Sequence, residues 1–221
     1  MKNKKPLKIY FDTEFTGLHQ NTTLISIGLV TEFNEIFYAE FTDYDLNQLT
    51  QWHKDNILNN LCMASSMSTI LTPSSYGTEI ISGNKQHISK SFVEWLTMLR
   101  RQHSNYYHFQ FISDVCHYDF MLLIDLLVDD ALKLPDYISP YCHDINQDIA
   151  KYFNTTDYNA FDITREGIVE TLFPNNKVFQ NLSKTMKHNA LWDAHIIRAI
   201  DQLLNDQKNI NMNIDLFTIF Q

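Results

Sequence analysis

The most constraining feature of the sequence is a series of three apolar, β-rich segments within its first 41 residues. Leu7–Phe11, Thr22–Thr31 and Glu35–Phe41 are rich in β-branched and aromatic residues, with a turn at Phe33-Asn34 between the second and third. Runs of this kind, bounded by turn residues, are typical of strands. Because strands joined by short turns pair antiparallel, the N-terminal region predicts a three-strand meander.

The rest of the chain has mainly helical patterns. Apolar residues recur at helical spacing in 88–99, 120–128 and 190–204. Weaker helical patterns cover 43–61 in two pieces, 144–153 and 162–173. The alternation of Tyr107, Phe109 and Phe111 predicts a fourth strand after the first long helix. A meander followed by helix, strand and further helices predicts an α/β fold with a mixed sheet, not a regular doubly wound one.

The length of 221 residues predicts a single domain, 1–221, with two segments of unassigned structure. Residues 62–86 are rich in Ser, Thr and Gly and lack periodicity, so they predict a long loop. The tail, 205–221, has alternating apolar residues that suit a docking strand or a contact between copies of the chain.

Composition and charge exclude several classes of protein. A net charge of -9 argues against a protein that coats nucleic acid with its whole surface, but it leaves room for an enzyme with carboxylates around metal ions. Three cysteines without a CxxC motif argue against a disulfide framework or structural zinc. No run of 18 apolar residues exists, and the apolar stretch after Met1–Lys5 stops at Asp12. We therefore expect a cytoplasmic protein without membrane contact.

The first candidate metal ligands are Asp12 and Glu14, at the end of the first strand. Residues i and i+2 of a strand face the same side, so both carboxylates can point into one cleft. Two like charges so close disfavour each other unless a cation lies between them. Asp43 and Asp45 have the same spacing, and the alternative for either pair is a solvated strand end.

A second candidate group lies at the start of the last helix, in the string His188-Asn189-Ala190-Leu191-Trp192-Asp193. Asn189 is a suitable N-cap for a helix beginning at Ala190. His188 and Asp193 can reach one site only if His188 lies outside that helix, since five residues on one helix point in different directions. The alternative is a capping segment with an exposed histidine.

A third carboxylate is expected from the segment between these two groups. Asp119 follows the fourth strand and opens an apolar helix, so its side chain can point back to the end of the sheet. Asp114 and Asp125 compete for this role. Asp114 could instead orient another group of the site, and Asp125 is expected to be a charge on the flank of its helix.

These strings resemble, in order and type, the three motifs of the DEDDh 3′–5′ exonucleases, a family with the ribonuclease H-like fold. Residues 24–30 and 36–40 look closer to its small mycobacterial-type exoribonuclease branch, as does the single residue between His117 and Asp119. The likeness spans residues 8–204. Residues 62–86 and 130–175 and the tail have no counterpart in it.

The resemblance implies a two-metal site. Asp12, Glu14, Asp119 and Asp193 would bind two divalent cations, and His188 would be the general base. Carboxylate oxygens suit Mg²⁺, for which Mn²⁺ can substitute. In such sites one ion activates water and the other stabilises the leaving 3′ oxygen.

The resemblance also implies the substrate and its contacts. Thr13, Phe15, Gly17 and Leu18 would cradle the terminal nucleotide. The predicted function is a metal-dependent 3′–5′ exonuclease that acts on single-stranded ends, RNA before DNA, and releases nucleoside 5′-monophosphates. The alternatives are a 3′–5′ exodeoxyribonuclease and a catalytically silent nucleic-acid-binding module on the same fold. The apolar tail and the branch resemblance are compatible with a homodimer.

Overall fold

A computed structural model describes residues 5–63, 77–106 and 108–205. Its strands are β1 (Leu7–Phe15), β2 (Leu24–Thr31), β3 (Ile36–Phe41), β4 (Thr78–Gly83), β5 (Phe109–Ser113) and β6 (His143–Asp144). Its α-helices are α1 (Gln51–Asn56), α2 (Lys85–Gln102), α3 (His117–Leu127), α4 (Ile145–Tyr152), α5 (Asp157–Asp162), α6 (Arg165–Leu172), α7 (Lys177–Thr185) and α8 (Ala190–Asn205). Short 3-10 helices occupy Leu46–Gln48, Leu58–Asn60 and Ala131–Lys133.

The six strands form one mixed sheet in the order β4-β3-β2-β1-β5-β6. β1, β2 and β3 pair antiparallel, as the N-terminal pattern predicts. The pairs β3–β4, β1–β5 and β5–β6 are parallel. An antiparallel meander beside parallel strands, flanked by helices, is the predicted α/β class with a mixed sheet, and this prediction is confirmed.

Helices cover both faces of the sheet, so alternate residues of β1 enter different cores. Tyr10 packs with Trp192 and other residues of α8 on one face. Ile9 and Phe11 pack on the other face with Phe92 and further residues of α2 and α3. This burial on both sides explains why β1 has an almost continuous apolar run before its first carboxylate.

Close packing of α8 against the sheet depends on a glycine in β2. Gly28 pairs with Asp12 across the β1–β2 ladder. A Cβ at this position would lie 2.3 Å from the backbone N and 2.4 Å from the Cα of Leu191. Because no side chain fits there, only glycine allows α8 to approach β2 so closely. The same approach brings Asp193 of α8 near Asp12.

The predicted loop over 62–86 is partly wrong. Residues 64–76 lie outside the described part of the chain, but Thr78–Gly83 forms β4 and α2 begins at Lys85. β4 lies at the edge of the sheet and pairs in parallel with β3. Its sequence lacks an apolar alternation because its side chains are largely half-buried. β4 is a strand because its backbone forms hydrogen bonds with β3. The order of its side chains in the sequence does not indicate these bonds.

Other boundaries also differ from the predicted ones. Asp43–Leu61 forms one α-helix between two 3-10 helices, instead of two helical pieces. The short elements α5, α7 and β6 were not predicted. Tyr107 and the tail from residue 206 lie outside the described residues, so the predicted tail contacts stay predictions. No helix among residues 5–63, 77–106 and 108–205 has both the length and the apolar character needed to cross a membrane.

Candidate active site

One cavity of about 610 Å³ is lined by all nine residues that the sequence analysis assigned to catalysis, metal binding or substrate binding. They are Asp12, Thr13, Glu14, Phe15, Gly17, Leu18, Asp119, His188 and Asp193. The residues come from β1 and the turn after it, from the first turn of α3, and from the start of α8. The fold thus brings three segments that are distant in sequence into one site.

Two carboxylates of the site stand on the last residues of β1. Asp12 is partly buried and Glu14 is 8% exposed. The strand continues to Phe15, so both residues lie in its C-terminal part, which extends beyond the predicted apolar run Leu7–Phe11. Because they are two residues apart on a regular strand, their side chains face the same side.

Asp193 completes a group of three carboxylates. It lies in the first turns of α8, whose start is capped as predicted: the Asn189 side-chain oxygen accepts from the Trp192 amide at 3.0 Å. Asp12, Glu14 and Asp193 each offer one oxygen, and these oxygens lie within 4.8 Å of one another. Three hard oxygen ligands at this separation can hold a divalent cation.

Asp119 lines the same cavity but does not belong to this group of three. Its carboxylate is buried, and one of its oxygens accepts from both the backbone amide of Thr13, at 3.1 Å, and the Thr13 hydroxyl. The Thr13 side chain, which we predicted to contact substrate, therefore holds Asp119 in this structure.

Burial raises the pKa of the four carboxylates proposed as metal ligands, Asp12, Glu14, Asp119 and Asp193. The pKa of Asp193 rises to about 8 and that of Asp119 to about 7, in both cases mainly because the side chain is removed from water. Asp12 and Glu14 have pKa values well above the usual range, first from burial and then from repulsion by the neighbouring carboxylates. The metal-free cluster therefore retains protons near neutral pH, and a cation would displace them.

His188 lies just outside α8, as the sequence predicts. Its φ is 61°, which is the left-handed region, and its Nδ1 is 4.0 Å from a carboxylate oxygen of Glu14. Burial, followed by the charge of Lys187, lowers the pKa of the imidazole below its usual value. The ring is therefore neutral at physiological pH and can accept a proton.

Sequence reasoning missed the apolar rim of the cavity. Trp52, Tyr118, Phe161 and Ile163 line it, together with the predicted Leu18, and their exposed fractions range from 37% to 66%. An exposed aromatic residue within a helical pattern resembles a core position, so periodicity does not reveal this role. Trp52 also places its ring edge-on to His188, with centroids 4.9 Å apart.

Two basic side chains, those of Arg165 and Lys187, line the cavity, and each is paired with a carboxylate. Arg165 of α6 forms two hydrogen bonds with Asp114, and Lys187 lies 2.8 Å from Glu166. Asp114 thus orients an arginine of the cavity wall, in line with the orienting role considered for it. Asp125, the other competitor of Asp119, lies outside the cavity and pairs with Lys85 on the surface.

The raised pKa values predict that metal-free protein loses stability as pH rises. The folded state binds protons that the unfolded state, with aspartate pKa near 3.9, has already released, so the free energy of unfolding falls from about pH 4 up through the folded pKa values of about 7 for Asp119 and about 8 for Asp193. Mg²⁺ or Mn²⁺ binds the deprotonated form and should raise the melting temperature more at pH 8.5 than at pH 6. Thermal unfolding in EDTA and in metal, at a series of pH values, checks this. A metal effect independent of pH would contradict it.

No protein-family model matches the chain, and no curated protein matches it. Among solved structures, the chain is similar to the Neurospora crassa Pan2 catalytic unit (protease and nuclease domain), with a TM-score of 0.46 and 14% identity. The match covers 91% of this chain and 28% of that chain. The fold and the site by themselves define an α/β protein with a carboxylate cavity that can hold a divalent cation.

Proposed function

We propose that this protein is a metal-dependent 3′–5′ exonuclease that hydrolyses single-stranded ends, RNA in preference to DNA. The observation that carries the proposal is the convergence of Asp12, Glu14 and Asp193 within 4.8 Å, beside His188, in one cavity. These are the residues through which the sequence resembles the DEDDh exonucleases. The preference for RNA comes from the resemblance to the exoribonuclease branch.

The chain's own residues supply the protein part of the reaction. Asp12, Glu14 and Asp193 would hold one cation, and Asp119 would help to hold a second; the proposed ions are Mg²⁺, with Mn²⁺ as substitute. When bound, such ions polarise the phosphodiester and lower the pKa of water. His188 accepts the proton of the attacking water, whose oxygen joins phosphorus as the bond to the 3′ oxygen breaks. The terminal residue leaves as a nucleoside 5′-monophosphate.

The cavity rim supports a single-stranded nucleic acid as the ligand. Exposed aromatic rings at Trp52, Tyr118 and Phe161 line the same cavity as the carboxylates. Stacking of bases on aromatic side chains is the usual way in which proteins bind unpaired strands, whereas paired bases do not offer their faces. Phe15, Gly17 and Leu18 line the same cavity and keep their proposed role in holding the terminal nucleotide.

A cleavage time course tests the function. We expect 5′-labelled single-stranded RNA to give a ladder of products one nucleotide apart with Mg²⁺ or Mn²⁺ and no products in EDTA. The same strand with a 3′ label should release that label in the first step, which fixes the direction. Faster cleavage of matched DNA would favour the exodeoxyribonuclease. Binding of either strand without cleavage in both metals would favour the silent module.

Two further expectations accompany this proposal and remain predictions. They are a cytoplasmic location and assembly as a homodimer. Sedimentation of the full chain, including residues 206–221, would measure the assembly directly.

A further inference from the structure

The turn that carries His188 is held by a segment outside all three motifs. Asn60, the last residue of the 3-10 helix Leu58–Asn60, donates from its side-chain amide to the Lys187 carbonyl oxygen at 2.7 Å. Asn189 returns a bond from its own side-chain amide to the Asn60 carbonyl oxygen, also at 2.7 Å. These two reciprocal bonds connect the start of α8 to a point 127 to 129 residues earlier in the chain.

The peptide group between Lys187 and His188 is held directly by the distant segment. Its carbonyl oxygen accepts from the Asn60 side-chain amide. The residue on the other side of His188, Asn189, is 2% exposed and makes a second bond from its amide to the Cys62 thiol at 3.1 Å. Both neighbours of His188 are therefore anchored.

These anchors explain how His188 keeps an unusual backbone conformation. Its φ of 61° lies in the left-handed region, which residues other than glycine adopt rarely and only where their surroundings impose it. A rotation of the Lys187–His188 peptide would change this φ and swing the imidazole relative to Glu14. The hydrogen bond from Asn60 opposes that rotation directly.

The same segment also contacts the imidazole ring. Trp52 of α1 lies eight residues before Asn60 and meets the His188 ring edge-on, with centroids 4.9 Å apart. The 3-10 helix and α1 are joined at Ile57, which is 1% exposed and packs with Ile25 of β2. One segment, anchored on the sheet, therefore supports both the backbone and the ring of His188.

We propose that Asn60 is a positioning residue for His188: its side-chain amide fixes the Lys187–His188 peptide and so sets where the imidazole lies against Glu14 and Asp193. This inference rests on the proposed function, because positioning matters only if His188 accepts a proton during cleavage. Asn60 itself lies outside the residues that line the cavity and touches no reacting atom.

The test compares Asn60→Ala with Asn59→Ala. Asn59 is its exposed neighbour in the same 3-10 helix and bonds only to the Asp55 carbonyl oxygen of its own segment, at 3.4 Å. We expect kcat of Asn60→Ala to fall about 100-fold, as for a displaced catalytic group, with KM nearly unchanged. Asn59→Ala should keep both values. Equal effects of the two substitutions would overturn the proposal.

A double-mutant cycle separates positioning from general support of the fold. In a His188→Ala background, adding Asn60→Ala should cost no further activity, because the group that it positions is already absent. If the two losses multiply instead, Asn60 does not act through His188 and the proposal is wrong. Melting temperatures of all four proteins show that each remains folded under assay conditions.

Hydrogen exchange provides a measurement that does not depend on activity. We expect the backbone amides of residues 187–190 to exchange faster in Asn60→Ala than in the wild type, and at the wild-type rate in Asn59→Ala. Unchanged exchange in Asn60→Ala would overturn the proposal even if activity fell. If the wild type cleaves no strand, the proposed function fails, while exchange still decides whether Asn60 holds the turn.

Discussion

Asp193→Asn should abolish cleavage while raising the melting temperature of the metal-free protein. Asn has nearly the same shape as Asp and lies in the first turns of α8 without added bulk, so the fold is kept. Above about pH 8, where Asp193 is ionised, the substitution removes a charge from a buried group of carboxylates that repel one another, and the melting temperature is compared there. It also removes a metal ligand, and since a bound ion contributes several kcal/mol to the transition state, the rate should fall about 10³-fold or more.

Asp12→Ala should behave in the same way, because Asp12 is repelled by Asp119, Asp193 and Glu14. Asp125→Asn is the matched control: it also removes an aspartate charge, but from an exposed ion pair with Lys85 outside the cavity. Its activity should equal that of the wild type, and its stability should change little because exposed ion pairs contribute little. Initial rates and thermal unfolding in EDTA measure both effects. Activity near the wild-type level in Asp193→Asn and Asp12→Ala would contradict the assignment of the site.

The parts of the fold that could be predicted are those that local patterns specify. The β1–β3 meander has apolar segments separated by short turns, and α8 has a clear periodicity with an N-cap at Asn189. Asp12 and Glu14 are two residues apart on a strand, so their common direction follows from strand geometry. The cavity then unites these local features, and all nine predicted residues line it.

The parts that could not be predicted depend on contacts between distant residues. β4 is defined by backbone bonds to β3, and no pattern in its own side chains indicates them. Asn60 acts through a carbonyl group 127 residues away, and asparagine near a helix end is common for local reasons. Phe161 lies in the segment 130–175, where the sequence shows no motif, and its exposure at the cavity follows only from the packing of α5.

The surroundings of the Asp119 carboxylate could not be predicted from the motifs. The sequence places four carboxylates in three motifs, but the structure brings three of them together and holds Asp119 through Thr13. Hydrogen bonds from Thr13 partly offset the effect of burial on the pKa of Asp119. The partners of a carboxylate depend on distances of a few Å between side chains. The spacing of residues in a sequence does not determine such distances.

Gly28→Ala should destabilise the protein and weaken its metal binding at the same time. The added methyl group would lie within 2.4 Å of the Leu191 backbone, and backbone at the start of a buried helix cannot move aside as a flexible side chain does. We expect a loss of about 3 kcal/mol in the free energy of unfolding, at the upper end of the range for overpacked sites. Relief of the clash would push α8 away from β2, and Asp193 would move with it, away from Asp12.

Gly167→Ala is the control for this change. A Cβ at Gly167, in the first turn of α6, would have its nearest neighbour, the Thr164 hydroxyl oxygen, at 3.3 Å. The loss of backbone freedom in the unfolded chain favours alanine in a helix, so the free energy of unfolding should change by less than about 1 kcal/mol.

Denaturant unfolding measures the stability of both variants, and Mg²⁺ titration followed by melting temperature measures their metal affinity. A Gly28→Ala protein with normal stability and weakened metal binding would show that the helix shifts without loss of packing. Normal values for both would mean that α8 does not depend on Gly28 for its position, and that the proximity of Asp12 and Asp193 has another cause.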